Sequence, residues 1–166
     1  RSNIAVSADW PDLVDVVGVN ADGGLSGLYG STDSGLTFSQ YFYANCTNNL
    51  LSTSYNASGC SGQGFYDLAY AINPNNSDEI WLGGINSWKS TNGGANWSLN
   101  NFWSSGNGNV NKPVVHADKH FYAFHPLSST TFFECNDGGL YWTQDGGASW
   151  NDISGGLGIG QIYRIG

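Results

Sequence analysis

One eight-residue pattern occurs three times in this chain and constrains its fold more than any other feature. Residues 31–38 read Ser-Thr-Asp-Ser-Gly-Leu-Thr-Phe, residues 90–97 read Ser-Thr-Asn-Gly-Gly-Ala-Asn-Trp, and residues 143–150 read Thr-Gln-Asp-Gly-Gly-Ala-Ser-Trp. A hydroxyl residue comes first (Ser31, Ser90, Thr143), then Asp33, Asn92 or Asp145, then Gly35, Gly94 or Gly147, and last Phe38, Trp97 or Trp150. Physically this is a hairpin turn. The Asp or Asn side chain accepts hydrogen bonds from turn amides, and the glycine takes a left-handed conformation. The closing aromatic packs back into the sheet. The copies lie 59 and 53 residues apart, slightly longer than the roughly 40–50 residues of known propeller-blade repeats.

The similarity extends upstream of each octet. Leu68–Pro74 precedes Glu79–Gly84, Phe121–Pro126 precedes Thr131–Glu134, and Val14–Gly18 follows Trp10 and Pro11 in the first repeat. A further apolar run, Gly27–Gly30, Asn86–Lys89 or Gly139–Trp142, leads into each octet. Such short β-branched and aromatic runs bounded by Gly, Asn, Asp and Pro read as strands. The expected fold is all-β, with about three blades of antiparallel strands spanning roughly residues 1–45, 62–105 and 114–153, and residues 156–166 beginning a further blade. Propellers close with about four to eight blades. Three would leave open faces, so the expectation is a piece of a longer polypeptide, with a ring completed by other copies as the alternative.

Composition supports this and removes several function classes. Glu occurs 2 times, Lys 3 times and Met not at all, whereas Gly, Ser and Asn number 24, 20 and 19 of 166 residues, which disfavours helical bundles and coiled coils. Aromatic residues at 14% supply the apolar area that disordered chains lack. With 5 Lys plus Arg and a net charge of −8, the chain cannot form the basic face that nucleic-acid phosphates require. No run of 18 apolar residues marks a membrane span.

The octets resemble Asp-boxes, the repeats of sialidase-, sortilin- and xyloglucanase-type propellers. Residues 62–74, 115–120, 136–141 and 156–164 more narrowly resemble the BNR/YVTN-like repeat region of large secreted Bacteroidetes proteins. Phe38 in place of Trp and Asn92 in place of Asp are mild departures. The resemblance implies that the octets lie on the outer rim in a structural role, away from the central ligand face. It also implies an extracellular or cell-surface location, in some members through type IX secretion. Sialidase activity is disfavoured, because sialidase-type propellers hold a carboxylate with an arginine cluster, and the arginines here are Arg1 and Arg164.

His116, Asp118 and His120 form the main polar constellation. On a regular strand, positions i, i+2 and i+4 share one face, but the outer two lie about 13 Å apart, too far for one metal at roughly 2 Å per ligand. They are therefore expected to form a hydrogen-bonded polar ladder on the central face, with a metal triad or acid/base chemistry as alternatives. Glycoside hydrolysis needs two carboxylates about 5–9.5 Å apart. Asp67, Asp118, Glu134 and Asp137 are available, with Asp118 the candidate catalytic carboxylate and Asp137 reading better as a turn residue. Trp88, Trp103 and Tyr43 are expected near loops, where they could stack on sugars, while Trp81, Trp97, Trp142 and Trp150 read as blade core.

Asn20 with Asp22, and Asn136 with Asp137, each precede Gly-Gly and could offer oxygens to calcium, although neither fits an EF-hand loop. Cys46 and Cys60 enclose a Ser/Asn/Gly-rich loop, and a bridge between them would stabilise by roughly 3 kcal/mol. Cys135 reads as a small buried hydrophobe. The 4 sequons, at Asn45, Asn56, Asn75 and Asn96, barely exceed the roughly three expected by chance from this composition and carry no signal. The sequence therefore reads as a non-catalytic scaffold or adhesion segment that could bind polysaccharide. Its expected partners are further blades of its own chain or other copies. The alternatives are a glycoside hydrolase whose carboxylates lie partly elsewhere, or a cargo of a type IX-like export system.

Overall fold

The computed structural model describes residues 1–105 and 110–158. Twelve strands form three antiparallel four-stranded sheets, and the described residues contain no helix. Blade 1 runs β1 (Ser2–Val6), β2 (Val14–Val19), β3 (Leu25–Ser31) and β4 (Ser39–Tyr43). Blade 2 runs β5 (Ala69–Asn73), β6 (Asn76–Gly83), β7 (Ser87–Ser90) and β8 (Ser98–Asn101). Blade 3 runs β9 (Lys119–Phe124), β10 (Phe132–Asn136), β11 (Gly139–Thr143) and β12 (Asn151–Asp152). Strand order follows chain order in every sheet, and β5 packs beside both β1 and β9. The first strands are thus neighbours across the blades, the arrangement of a partial β-propeller. The further strand expected beyond residue 158 lies outside the described residues.

Burial follows from a blade's position in the stack. Blade 2 is covered on both faces, so alternate residues of its strands enter different cores. Tyr70, Ile72, Ile80 and Leu82 pack with Val17 and Leu28 of blade 1. Ala69 and Trp81 pack with Tyr122 and Phe132 of blade 3. The outer blades have one covered face each. In blade 1, Ala5 and Val17 are buried, whereas Ile4 and Val6 on the outward side of β1 are exposed. In blade 3, Tyr122 and Phe132 are buried, while Phe121 is exposed and Phe133 stacks on Trp142 at 6.2 Å on the outward face. Trp142 is therefore not core, because the described chain puts no blade over it. Cys135, in register with Phe121 and Leu140 on that face, is likewise only half-buried.

The three octets repeat one hydrogen-bond scheme. Ser31, Ser90 and Thr143 accept from the Gly35, Gly94 and Gly147 amides through their side-chain oxygens, each at 2.9 Å. Asp33, Asn92 and Asp145 accept through Oδ1 from the Thr37, Asn96 and Ser149 amides, again at 2.9 Å. The Ser31 and Thr37 hydroxyls on Asp33 and the Ser149 and Thr143 hydroxyls on Asp145, together with these amides, hold both carboxyls down to about 2. Gly35, Gly94 and Gly147 have φ of 86°, 82° and 90°.

The same glycines also seat one blade on the one before it. A Cβ on Gly94 would come within 2.7 Å of the Tyr41 ring in blade 1, and one on Gly147 within 2.5 Å of the Trp81 ring in blade 2. Trp150 completes the second junction, donating from Nε1 to Asn100 Oδ1 and packing its ring 6.3 Å from that of Trp81. Phe38 was expected to pack back into its sheet, but it is 47% exposed. No described blade precedes blade 1 to receive it.

Alanine at the three glycines separates these two roles. Gly35→Ala meets only ordinary contacts and should lose about 1–2 kcal/mol from left-handed strain alone. Gly94→Ala and Gly147→Ala add a collision with a ring and should lose about 1–3 kcal/mol more by overpacking. Urea unfolding of the three variants measures the difference, and equal losses would contradict the seating role.

Candidate functional site

Antiparallel order puts two kinds of connection at one end of the stack. These are the long segments 44–68 and 102–118 (of the latter, residues 102–105 and 110–118 are described), joining each blade to the next, and the hairpins that follow β2, β6 and β10. The octets lie at the other end. Segment 44–68 is closed by a Cys46–Cys60 disulfide and held by Asn49, whose Oδ1 accepts from Leu25 N and whose Nδ2 donates to Gly59 O. It reaches all three blades. Arg1 donates to the Phe65 and Tyr66 carbonyls, Asn86 Nδ2 donates to Ser52 O at 3.4 Å, and Tyr66 OH donates to Asp137 Oδ2 at 2.9 Å.

The polar centre of this face is built on the junction of blades 2 and 3. His120 Nε2 lies 2.6 Å from Asp137 Oδ1, and Tyr66 sets its ring edge-on to His120 at 5.2 Å. His116, Asp118 and His120 do not form a strand ladder. β9 begins at Lys119, and Asp118 turns the chain with φ 64°, so the alternation that would align the three side chains is broken before it starts. His116 packs instead over Gly138, where a Cβ would come within 2.4 Å of its ring. His120 alone of the three pairs with Asp137. Among the described residues no group of three metal-ligating side chains converges.

Beneath this surface lies a buried charge network. Lys119 and Glu134 are fully buried, with Nζ 3.5 Å from Oε1. Lys119 Nζ also donates to the Val115 and His116 carbonyls. Glu134 Oε2 accepts from Ser87 Oγ at 2.7 Å and Asn101 Nδ2 at 3.0 Å in blade 2, and Tyr122 OH donates to Ser87 Oγ. Burial pushes the Lys119 ammonium down, and Glu134 opposes this.

Asp67 is also fully buried, and as a carboxylate it has no hydrogen-bond donor among the described residues. Burial first, and then the Asp118 charge, push its carboxyl up to about 8. At neutral pH it holds a proton. This burial bears on catalysis, because glycoside hydrolysis needs two carboxylates flanking a sugar and a fully buried Asp67 cannot reach one.

Several expected residues have other roles here. Trp88, expected near the loops, is 4% exposed and belongs to the core between blades 1 and 2. Trp103 and Tyr43 are exposed, as are Tyr55, Phe65 and Tyr66, all in or next to the two long connections. Asp22 and Asn136 accept from the Gly24 and Gly138 amides and so act as turn residues. The sequence reasoning missed Tyr66 and Lys119. Lys119 had one available signal: it is one of only 3 lysines and sits at the start of an apolar run.

Neither a family model nor a curated protein matches the sequence. Comparison of folds identifies the class, because the similar structures are β-propeller proteins. A GH74 enzyme from Niastella koreensis aligns with TM-score 0.57 and 22% identity over 90% of this chain. A GH74 xyloglucanase from Xanthomonas campestris aligns with 0.56 and 18% over 92%. YCF48, in a structure bound to D1 peptide, aligns with 0.51 and 16% over 90%. The chain spans only 22%, 23% and 37% of those proteins respectively.

Three variants test the buried chemistry. A carboxyl raised on folding holds a proton that the unfolded chain releases near its ordinary value of 3.8, so stability should fall as pH rises from about 4 to 8. Asp67→Asn should flatten that slope in thermal melts, and an unchanged slope would contradict the assignment. Lys119→Met strands a buried carboxylate and should cost about 3–5 kcal/mol, much of it recovered by adding Glu134→Gln. Urea titration of the single and double variants measures this.

Proposed function

We propose that this chain is a non-catalytic part of an extracellular Asp-box β-propeller, with a scaffold or adhesion role, whose loop-bearing face holds polysaccharide. The observation that carries the reading is the clustering of exposed aromatics there. Tyr43, Tyr55, Phe65, Tyr66 and Trp103 all lie in or beside segments 44–68 and 102–118. Flat rings stack on sugar faces, and nearby polar groups such as Asp137 and His120 supply the hydrogen bonds that orient hydroxyls. The surroundings suit a neutral ligand, because charge is sparse and most polar groups are Asn, Ser and Tyr.

A second reading, a glycoside hydrolase, is favoured by the likeness to two GH74 structures. It is opposed by Asp67, whose full burial leaves it unable to flank a glycosidic bond. In this reading Asp118 would act with a carboxylate from elsewhere in a longer chain.

Affinity electrophoresis of the protein in gels containing xyloglucan or another soluble β-glucan separates the two readings. The binding reading expects retardation without release of reducing ends, about tenfold weaker for Phe65→Ala and Tyr66→Ala, the size of one lost stacking contact of 1–3 kcal/mol. Reducing sugar released by the parent and abolished by Asp118→Asn would establish the enzyme instead. Unretarded migration across glucans would overturn the polysaccharide role.

A further inference from the structure

At the octet end, away from the face just described, blades 1 and 2 leave a cleft of about 230 Å³ between them. Trp10, Leu13, Asp15, Tyr41, Asp78 and Ile80 are among its lining residues. Asp15 is 2% exposed. Its Oδ2 accepts from Tyr41 OH at 2.9 Å and Tyr70 OH at 3.2 Å. Its Oδ1 takes no hydrogen bond from the described residues and lies beside Gly30, where a Cβ would come within 3.0 Å. Asp78, exposed on β6, makes no side-chain hydrogen bond or ion pair among the described residues.

No Lys, Arg or His lines the cleft. The described cations are engaged or placed elsewhere. Arg1 holds the Phe65 and Tyr66 carbonyls, Lys89 pairs with Glu79, Lys119 pairs with Glu134, and Lys112 sits in segment 102–118. A buried carboxylate with one vacant oxygen, in a cleft that also presents Asp78 and no countercharge, is costly unless it keeps a proton or something positive joins it. The remaining walls are apolar or aromatic, and Trp10 is 45% exposed.

From this arrangement we propose that the cleft between blades 1 and 2 binds an organic cation, an ammonium or guanidinium head on an aliphatic stem. Asp15 Oδ1 and Asp78 take the head, and Leu13, Ile80 and the Tyr41 ring pack the stem, with Trp10 supplying an aromatic face. A calcium ion fits less well, because it requires six to eight oxygen ligands and much of this lining is hydrocarbon. The net charge of −8 draws cations of either kind toward the surface. The head group can belong to a lysine or arginine side chain of a peptide or to a free small amine, and both present the same chemistry to the cleft.

NMR titration of the 15N-labelled protein tests this with four probes: Nα-acetyl-lysine methylamide, its neutral norleucine counterpart, agmatine and calcium chloride. The lysine probe should shift the Trp10 indole and amides around Asp15 and Asp78. The norleucine probe should bind at least about tenfold more weakly, the loss of one charge-assisted contact. Asp15→Asn and Asp78→Asn should each weaken the lysine probe several-fold. Asp78 is exposed, so its variant keeps the test decisive if Asp15→Asn fails to fold. Tighter binding of the lysine derivative than agmatine supports a peptide side chain as the source, and the reverse supports a free amine. Equal affinity for norleucine, an unchanged affinity in Asp78→Asn, or calcium alone producing the shifts would overturn the proposal.

Discussion

The structure depends on blades packing face to face, and at two points of that packing an octet glycine lies against a ring of the preceding blade. Gly94 lies against Tyr41, and Gly147 lies against Trp81, with no room for a Cβ at either. The octet side-chain hydrogen bonds hold each glycine in the left-handed conformation that makes the approach possible. One local motif thus both turns a hairpin and sets the distance between sheets. Given that distance, Trp81 fits between Phe132 and Trp150, at 4.4 and 6.3 Å.

The candidate functional face is the other consequence of this stacking. Each connection between blades must travel from an outer strand to the inner strand of the next, so long irregular segments collect at one end. Segment 44–68 would be a costly loop if left free. The disulfide, Asn49 and the contacts to all three blades order it, and its aromatic residues are presented on a firm base. Beneath it, the Lys119–Glu134 pair and the Asp67 carboxyl place polar groups where an apolar core could have been. Glu134 reaches Ser87 and Asn101 of blade 2, so the pair ties blade 3 to blade 2.

Much of the fold was legible in the sequence, because its signals are local and repeated. The octets, the Pro74 turn and the apolar runs are short-range features that need no tertiary information. The site was legible only in part. His116, Asp118 and His120 were visible as a polar cluster, but their alignment assumed a regular strand, and the left-handed turn at Asp118 has no sequence signature. Trp88 and Trp142 exchanged their expected environments because burial here depends on which blade has neighbours. Tyr66 meets Asp137 across 71 residues, and Asp15 meets Tyr70 across 55. Pairings of that range follow from the stacking of blades and not from any local pattern.

Hydrogen–deuterium exchange of the protein with and without a soluble β-glucan tests the central claim most directly, namely that glucan binds the loop-bearing face and not the octets. The account predicts added protection in segments 44–68 and 102–118 and unchanged exchange in the three octets. Protection confined to the octets, or none anywhere at saturating glucan, would contradict it.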